Sequence, residues 1–101
     1  MVENYVDTYC LLEIQIGNPQ EQKETHLAKL KNLPNVIPNI ISFNIGFDIL
    51  NLERSFHLGL VAVYADRAAL DFYTEHAVHQ EAAKMGKEIA ERVVSVDFIS
   101  E

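Results

Sequence analysis

The chain is short of cysteine, of cations, of glycine and of long apolar runs, and each shortage closes off a class of function. A single cysteine, Cys10, stands among 101 residues. No intrachain disulfide can form, and a reducing cytoplasm is the expected compartment. Lys and Arg number 8 against 15 Asp and Glu, a net charge of −7 with histidine neutral. Nucleic acid and anionic membrane are bound through clustered cations, so neither is expected as a partner. No apolar run approaches the roughly 18–20 residues of a membrane-spanning helix. The start, Met1-Val2-Glu3-Asn4, has neither the basic residues nor the apolar core expected of a secretion signal. Four glycines are scattered without G-x-G spacing, which excludes a glycine-rich phosphate loop. What remains is a chain nearly half apolar, at 49%, long enough for one core and hardly for two. A single domain over residues 1–101 is expected.

The apolar residues fall into alternating blocks of period two and period 3.6. Val6, Cys10, Leu12, Ile14 and Ile16 alternate with Asp7, Glu13 and Gln15, which predicts a strand over residues 5–16. Asn18-Pro19-Gln20-Glu21 reads as a helix start, with Asn18 as cap and Pro19 at the first helical position. Leu27, Leu30 and Leu33 stripe that helix, His26 is expected on its exposed face, and Pro34 is expected to end it. Residues 34–39 then form a loop. A second strand over 40–48 places Ile41, Phe43, Ile45 and Phe47 on one face. A third over 55–64 places Ser55, His57, Gly59, Val61 and Val63 together. Asp66 is a good cap for a helix from Arg67 with Ala69, Leu70 and Tyr73 on its apolar face. A further helix is predicted over 80–92 and a last strand over 93–99, where Val94, Val96 and Phe98 alternate with Ser95 and Asp97.

The order is therefore βαββαβ, an α+β pattern that suits a four-stranded antiparallel sheet with its helices on one face. The other face of such a sheet would present apolar side chains to water. A bare apolar face of that size is a liability for a lone protomer, so a homodimer packed sheet against sheet is expected.

Chemistry concentrates in Tyr73-Thr74-Glu75-His76-Ala77-Val78-His79. Imidazole titrates near neutrality, and a phenol can donate to a carbonyl oxygen or a developing oxyanion. On one continuous helix Tyr73 and His76 would lie about 60° apart and Tyr73 and His79 about 120° apart, so they share no narrow face. A break near Ala77 would bring His79 over the same pocket as Tyr73. The bland alternative is that the histidines finish one helix and cap the next. His57, mid-strand, points either to the sheet–helix pocket or to the dimer interface. His76 and His79 lack a third ligand at the spacing zinc sites use, so no metal is expected. Cys10, among apolar neighbours with nothing to lower its pKa, reads as a buried, inert thiol.

Several short segments together resemble the stress-responsive dimeric α/β-barrel domain family. They are the first strand at residues 6–15, Leu33-Pro34-Asn35-Val36-Ile37-Pro38, and Ile45-Gly46-Phe47-Asp48. Further along come Tyr64-Ala65-Asp66-Arg67-Ala68-Ala69-Leu70, then Tyr73 with His76-Ala77 and His79, and Val96-Asp97-Phe98. The resemblance covers nearly the whole chain. It implies a ferredoxin-like fold that dimerises through its sheets, with no cofactor. One enzymatic member, olivetolic acid cyclase, closes a linear polyketide with the tyrosine and second histidine of this motif. The resemblance therefore implies Tyr73 as hydrogen-bond donor and His79 as general base. His76, His57, Thr8, Leu27 and Leu30 are the implied ligand-contacting positions. Two positions depart from the family pattern. Ala77 stands where the family has proline, so the kink is less enforced. Thr8 stands where a histidine is common, which removes one polar partner of the pocket.

Three functions are carried forward. One is a stress-response-type dimer that binds a small apolar or aromatic molecule. The second is a cofactor-free enzyme, polyketide cyclase-like or monooxygenase-like, built on His79 and Tyr73. The third is a structural assembly module.

Overall fold

The computed structural model describes residues 4–100. The expectation about the first residues, Met1 to Glu3, lies outside the described residues. The chain runs β1 (Val6–Ile14), α1 (Gln20–Val36), β2 (Ile40–Phe47), β3 (Leu58–Tyr64), α2 (Arg67–Glu75), α3 (Ala77–Ile89) and β4 (Ala90–Ile99). The strands form one antiparallel sheet in the order β2-β3-β1-β4. The α+β sheet-and-helix pattern read from the sequence is the one observed, with its second helical region split into two helices.

Alternation sets the two faces of the sheet. Val6, Leu12 and Ile14 of β1 and Leu58, Leu60, Ala62 and Tyr64 of β3 are buried. All of these but Ile14 pack with Leu30 and Leu33 of α1, Ala69 and Tyr73 of α2 and Ala82 of α3 in one cluster. Leu33 and Ile37 at the end of α1 are sealed completely. The opposite face carries Tyr9, Leu11, Val61, Val96 and Phe98, all partly exposed. The register sets Tyr9 between Val61 and Val96, and Tyr9 stacks on Phe98 at 5.8 Å. The helix-free face is therefore apolar, as the strand patterns predict.

Besides β3 beginning at Leu58 rather than residue 55 and α3 at Ala77 rather than residue 80, local details differ from the sequence reading at four places, each for a physical reason. Asn18 does not cap α1: Pro19 holds the cap position with no side-chain bond, and Asn18 Nδ2 is buried without a partner. One position further from the helix, the Asn18 side chain no longer meets the first free amides, and the Pro19 carbonyl takes the N–H groups of Gln22 and Lys23. Pro34 does not end α1, which continues to Val36 and closes with Ile37 N–H on the Leu33 carbonyl at 2.9 Å. The full burial of Leu33 and Ile37 outweighs one lost backbone bond in a last turn. In β2 the pairing shifts between Ile40 and Ser42, so Ile41 is turned outward and 54% exposed while Ile40, Phe43 and Ile45 pack inward. Last, α3 stops at Ile89 and β4 starts at Ala90, three residues earlier than the pattern suggests. There the Ile89 carbonyl accepts from Gln15 N–H at 2.9 Å, and Arg92 and Val93 are drawn into pairing with Glu13 and Leu12.

Candidate functional site

The site begins with the way α2 ends. Asp66 Oδ1 accepts from Ala69 N–H at 2.8 Å and starts the helix. His76 leaves the helix with φ −64° and ψ 134°, and its Nδ1 accepts from Val78 N–H at 3.1 Å to start α3. One residue thus closes α2 and caps α3. The turn at His76 swings α3 so that the His79 ring meets the Tyr73 ring, with centroids 4.3 Å apart. On one continuous helix these two side chains would point apart.

The break also supplies a partner for His79. Near the end of α2 the Thr74 carbonyl lies among those that have no acceptor role within the helix. His79 Nδ1 lies 3.1 Å from that oxygen. A carbonyl can only accept, so Nδ1 carries the proton and Nε2 of the neutral ring keeps its lone pair. Burial lowers the His79 pKa; the Thr74 carbonyl pulls the other way, and His76 adds to the lowering.

Tyr73 packs against Tyr64, with ring centroids 4.9 Å apart, and against Phe43 at 6.5 Å. Burial pushes the Tyr73 phenol up to about 12, an effect the nearby Tyr64 hydroxyl partly offsets. Burial raises the Tyr64 phenol further, and the proximity of Tyr73 adds to it. The two phenols stand close enough to influence each other, yet the Tyr64 hydroxyl is buried with no partner in hydrogen-bond geometry. Cys10 is also raised, first by burial and then by Asp97. At neutral pH both phenols and the thiol are protonated, and the His79 imidazole is uncharged.

These groups border one cavity of about 280 Å³ between the sheet and the helices. Its floor comes from β1, β3 and β4, through residues such as Leu12, Leu60 and Val93, and its roof from Tyr73, His79 and Ala83. Thr8 and Asp97 face each other across the β1–β4 pairing, and the Thr8 hydroxyl donates to the Asp97 carboxylate. Leu30 of α1 also lines the cavity.

Of the residues singled out from the sequence, Tyr73, His79, Thr8 and Leu30 therefore meet at one cavity. The other three do not. Leu27 packs on the core cluster away from it. His76 is a cap, with its ring edge-on to Phe72 at 5.7 Å. His57 lies at the far end of the sheet, just before β3, where it ties the end of β1 to the residue after β2 through three backbone groups. Its Nδ1 accepts from Ile14 N–H at 2.7 Å, its N–H donates to the Leu12 carbonyl at 2.9 Å, and its carbonyl accepts from Asp48 N–H at 2.8 Å. Among the described residues no group of three His, Cys, Asp or Glu side chains converges as a metal ion requires.

The sequence reading missed several polar cavity residues, Tyr64, Asp97 and His26 among them. Asp97 shares a face of β4 with Ser95, and that face lies opposite Thr8 and Cys10 once the register is known. His26, expected on the surface, is only 2% exposed and lines the cavity. Its spacing from Leu30 and Leu33, four and seven residues, is the signal that could have found it.

Comparison with known proteins bears on the fold and on the family. The family model for the stress responsive A/B barrel domain matches residues 9–100. No curated protein matches the chain. Among solved structures, a dimeric ferredoxin-like protein of unknown function from Thermobifida fusca is 19% identical, with a TM-score of 0.88 over 97% of this chain and 92% of that one. The hydroxynitrile lyase of Passiflora edulis is 17% identical, with a TM-score of 0.88 over 99% and 96%. An Arabidopsis thaliana protein is 24% identical, with a TM-score of 0.82 over 100% and 94%. At these identities the likeness establishes the ferredoxin-like fold.

Proposed function

The chain belongs to the stress responsive A/B barrel domain family, and from that premise we propose a homodimer that holds a small apolar or aromatic molecule between its sheet and its helices, as a stress-response-type binding protein. The observation that carries this is the cavity of about 280 Å³, lined by leucines and aromatic rings. A cavity of about 150 Å³ with apolar walls takes benzene, so this one has room for a substituted or fused ring. The dimer is supported by the apolar helix-free face, and the Thermobifida fusca protein of this fold is dimeric. Titration with ethylbenzene, followed by methyl NMR, is expected to shift Leu12, Leu30, Leu60 and Val93 together. Shifts spread over the open sheet face, or none with either ethylbenzene or benzyl alcohol up to their solubility, would end this reading.

A second reading is favoured by one arrangement, the Tyr73–His79 pair. With Nδ1 tied to Thr74, His79 presents Nε2 as a base, and Tyr73 is a protonated donor in contact with it. A carbonyl compound held between them would lose an α-proton to His79 while Tyr73 holds the enolate oxygen. A neighbour of the same fold, from Passiflora edulis, is a lyase. Hydrogen–deuterium exchange at the α-carbon of phenylacetone, in deuterium oxide, tests it. Acceleration by the wild-type chain, lost in His79→Ala and Tyr73→Phe with the dimer intact, is the expected result. Equal exchange in all three would leave binding as the function.

A further inference from the structure

His26 has a sealed position that packing alone does not explain. It is 2% exposed; the Ala82 backbone lies within bonding reach of the ring, but Nδ1 has no hydrogen-bond partner. Leaving a buried nitrogen unpaired carries its full desolvation penalty, so native chains rarely do so without a use for it. A leucine at this place in the stripe of Leu30 and Leu33 would carry no such penalty. The ring is instead given room by α3. A Cβ on Gly86 would stand 2.9 Å from His26 Nε2 and 3.4 Å from Cε1. His26 and Gly86 both line the cavity, and so does Tyr64, whose hydroxyl is likewise buried without a partner.

We propose that His26 sets the specificity of the pocket: it selects a neutral ligand carrying a hydroxyl at the wall formed by α1 and α3, over an apolar molecule of the same shape. The inference rests on the binding function proposed above and adds the chemical class of the ligand. A neutral imidazole offers one donor and one acceptor. A hydroxyl both donates and accepts, so it pairs with whichever ring nitrogen it meets, and it pairs equally with a phenol. A carboxylate is the wrong group here. Its charge would lie among uncharged imidazoles and phenols, with the Asp97 carboxylate on the same cavity and Lys87 the one cation lining it among the described residues.

Benzyl alcohol and ethylbenzene, alike in shape and differing by hydroxyl against methyl, are the probes. Their dissociation constants are measured for the wild-type chain, for His26→Leu and for Gly86→Ala, whose new methyl group pushes on the imidazole. In His26→Leu the preference is expected to move at least tenfold toward ethylbenzene, and Gly86→Ala is expected to move it the same way. Nitrogen-15 shifts of the His26 ring in the wild-type chain give a readout that needs no variant to fold. They should respond to benzyl alcohol and not to ethylbenzene. An unchanged preference in His26→Leu, or ring shifts equal for both probes, overturns the role of His26 while leaving the pocket as a binding site. Binding of neither probe to the wild-type chain overturns the pocket reading, and this inference with it.

Discussion

Two imidazoles, His26 and His79, are held below their ordinary value of 6.5 by burial. The unfolded chain therefore binds protons that the folded chain refuses. This contribution to stability is fully present above about pH 6.5 and is lost as the pH falls from there through the lowered folded values. The urea midpoint is expected to drop between pH 7.5 and pH 5, and to drop less in His26→Leu. Identical pH profiles for the two chains would mean that His26 is not buried neutral. If His79 acts as a base, its exchange activity follows its neutral form, and burial moves the rise below the pH at which a free imidazole titrates. At Gly86 two effects compete. Alanine improves helix propensity by about 1 kcal/mol, while forcing a methyl group against a sealed ring costs about 1–3 kcal/mol. The 2.9 Å approach to His26 Nε2 decides for the second. Gly86→Ala is expected to lower the urea midpoint, and a raised midpoint would show that the ring yields freely.

At the scale of elements, the joint between α2 and α3 brings the Tyr73 and His79 rings together. His76 has the extended backbone that precedes proline comfortably, and Ala77 is the first residue of α3. Ala77→Pro is therefore expected to stabilise the chain by roughly 0.4–1 kcal/mol, through the unfolded state, with the Tyr73–His79 contact preserved. A destabilised variant would show that the joint needs the Ala77 N–H. Asp66→Ala removes the cap bond to Ala69 and is expected to cost about 1 kcal/mol in denaturant unfolding. Both changes act on the same short stretch and in opposite directions, so the pair reports how far α2 and α3 position the pocket.

At the scale of the whole molecule, the open face of the sheet is the surface on which the proposed homodimer would form. Val96 is 53% exposed on that face, on the edge strand β4 and paired with Tyr9 of β1. A lysine there would place a charge in the proposed sheet-to-sheet contact, at a cost far above that of an exposed substitution. Sedimentation at micromolar concentration is expected to show a dimer for the wild-type chain and a monomer for Val96→Lys. A wild-type chain that sediments as a monomer would remove the homodimer from the proposed function. No helix among the described residues is long and apolar enough to cross a membrane.

How far the chain could be read from its residues depended on the range of the interactions involved. Local periodicity was enough for the four strands, the helix start at Asp66 and the apolar open face, because alternation and capping act over a few residues. It also singled out Tyr73 and His79, although only the turn at His76 brings their rings together at one cavity. Interactions between distant segments decided the rest. The seal around Leu33 and Ile37 carried α1 past Pro34. Pairing with Glu13 and Leu12 began β4 three residues early. Three backbone bonds at the sheet end claimed His57, and the packing of α1 on Gly86 drew His26 inward beside the cavity. Side-chain pattern along the chain determined which faces are apolar; which polar groups share one cavity was settled only when segments far apart in sequence packed together, because burial and pairing are properties of the assembled core.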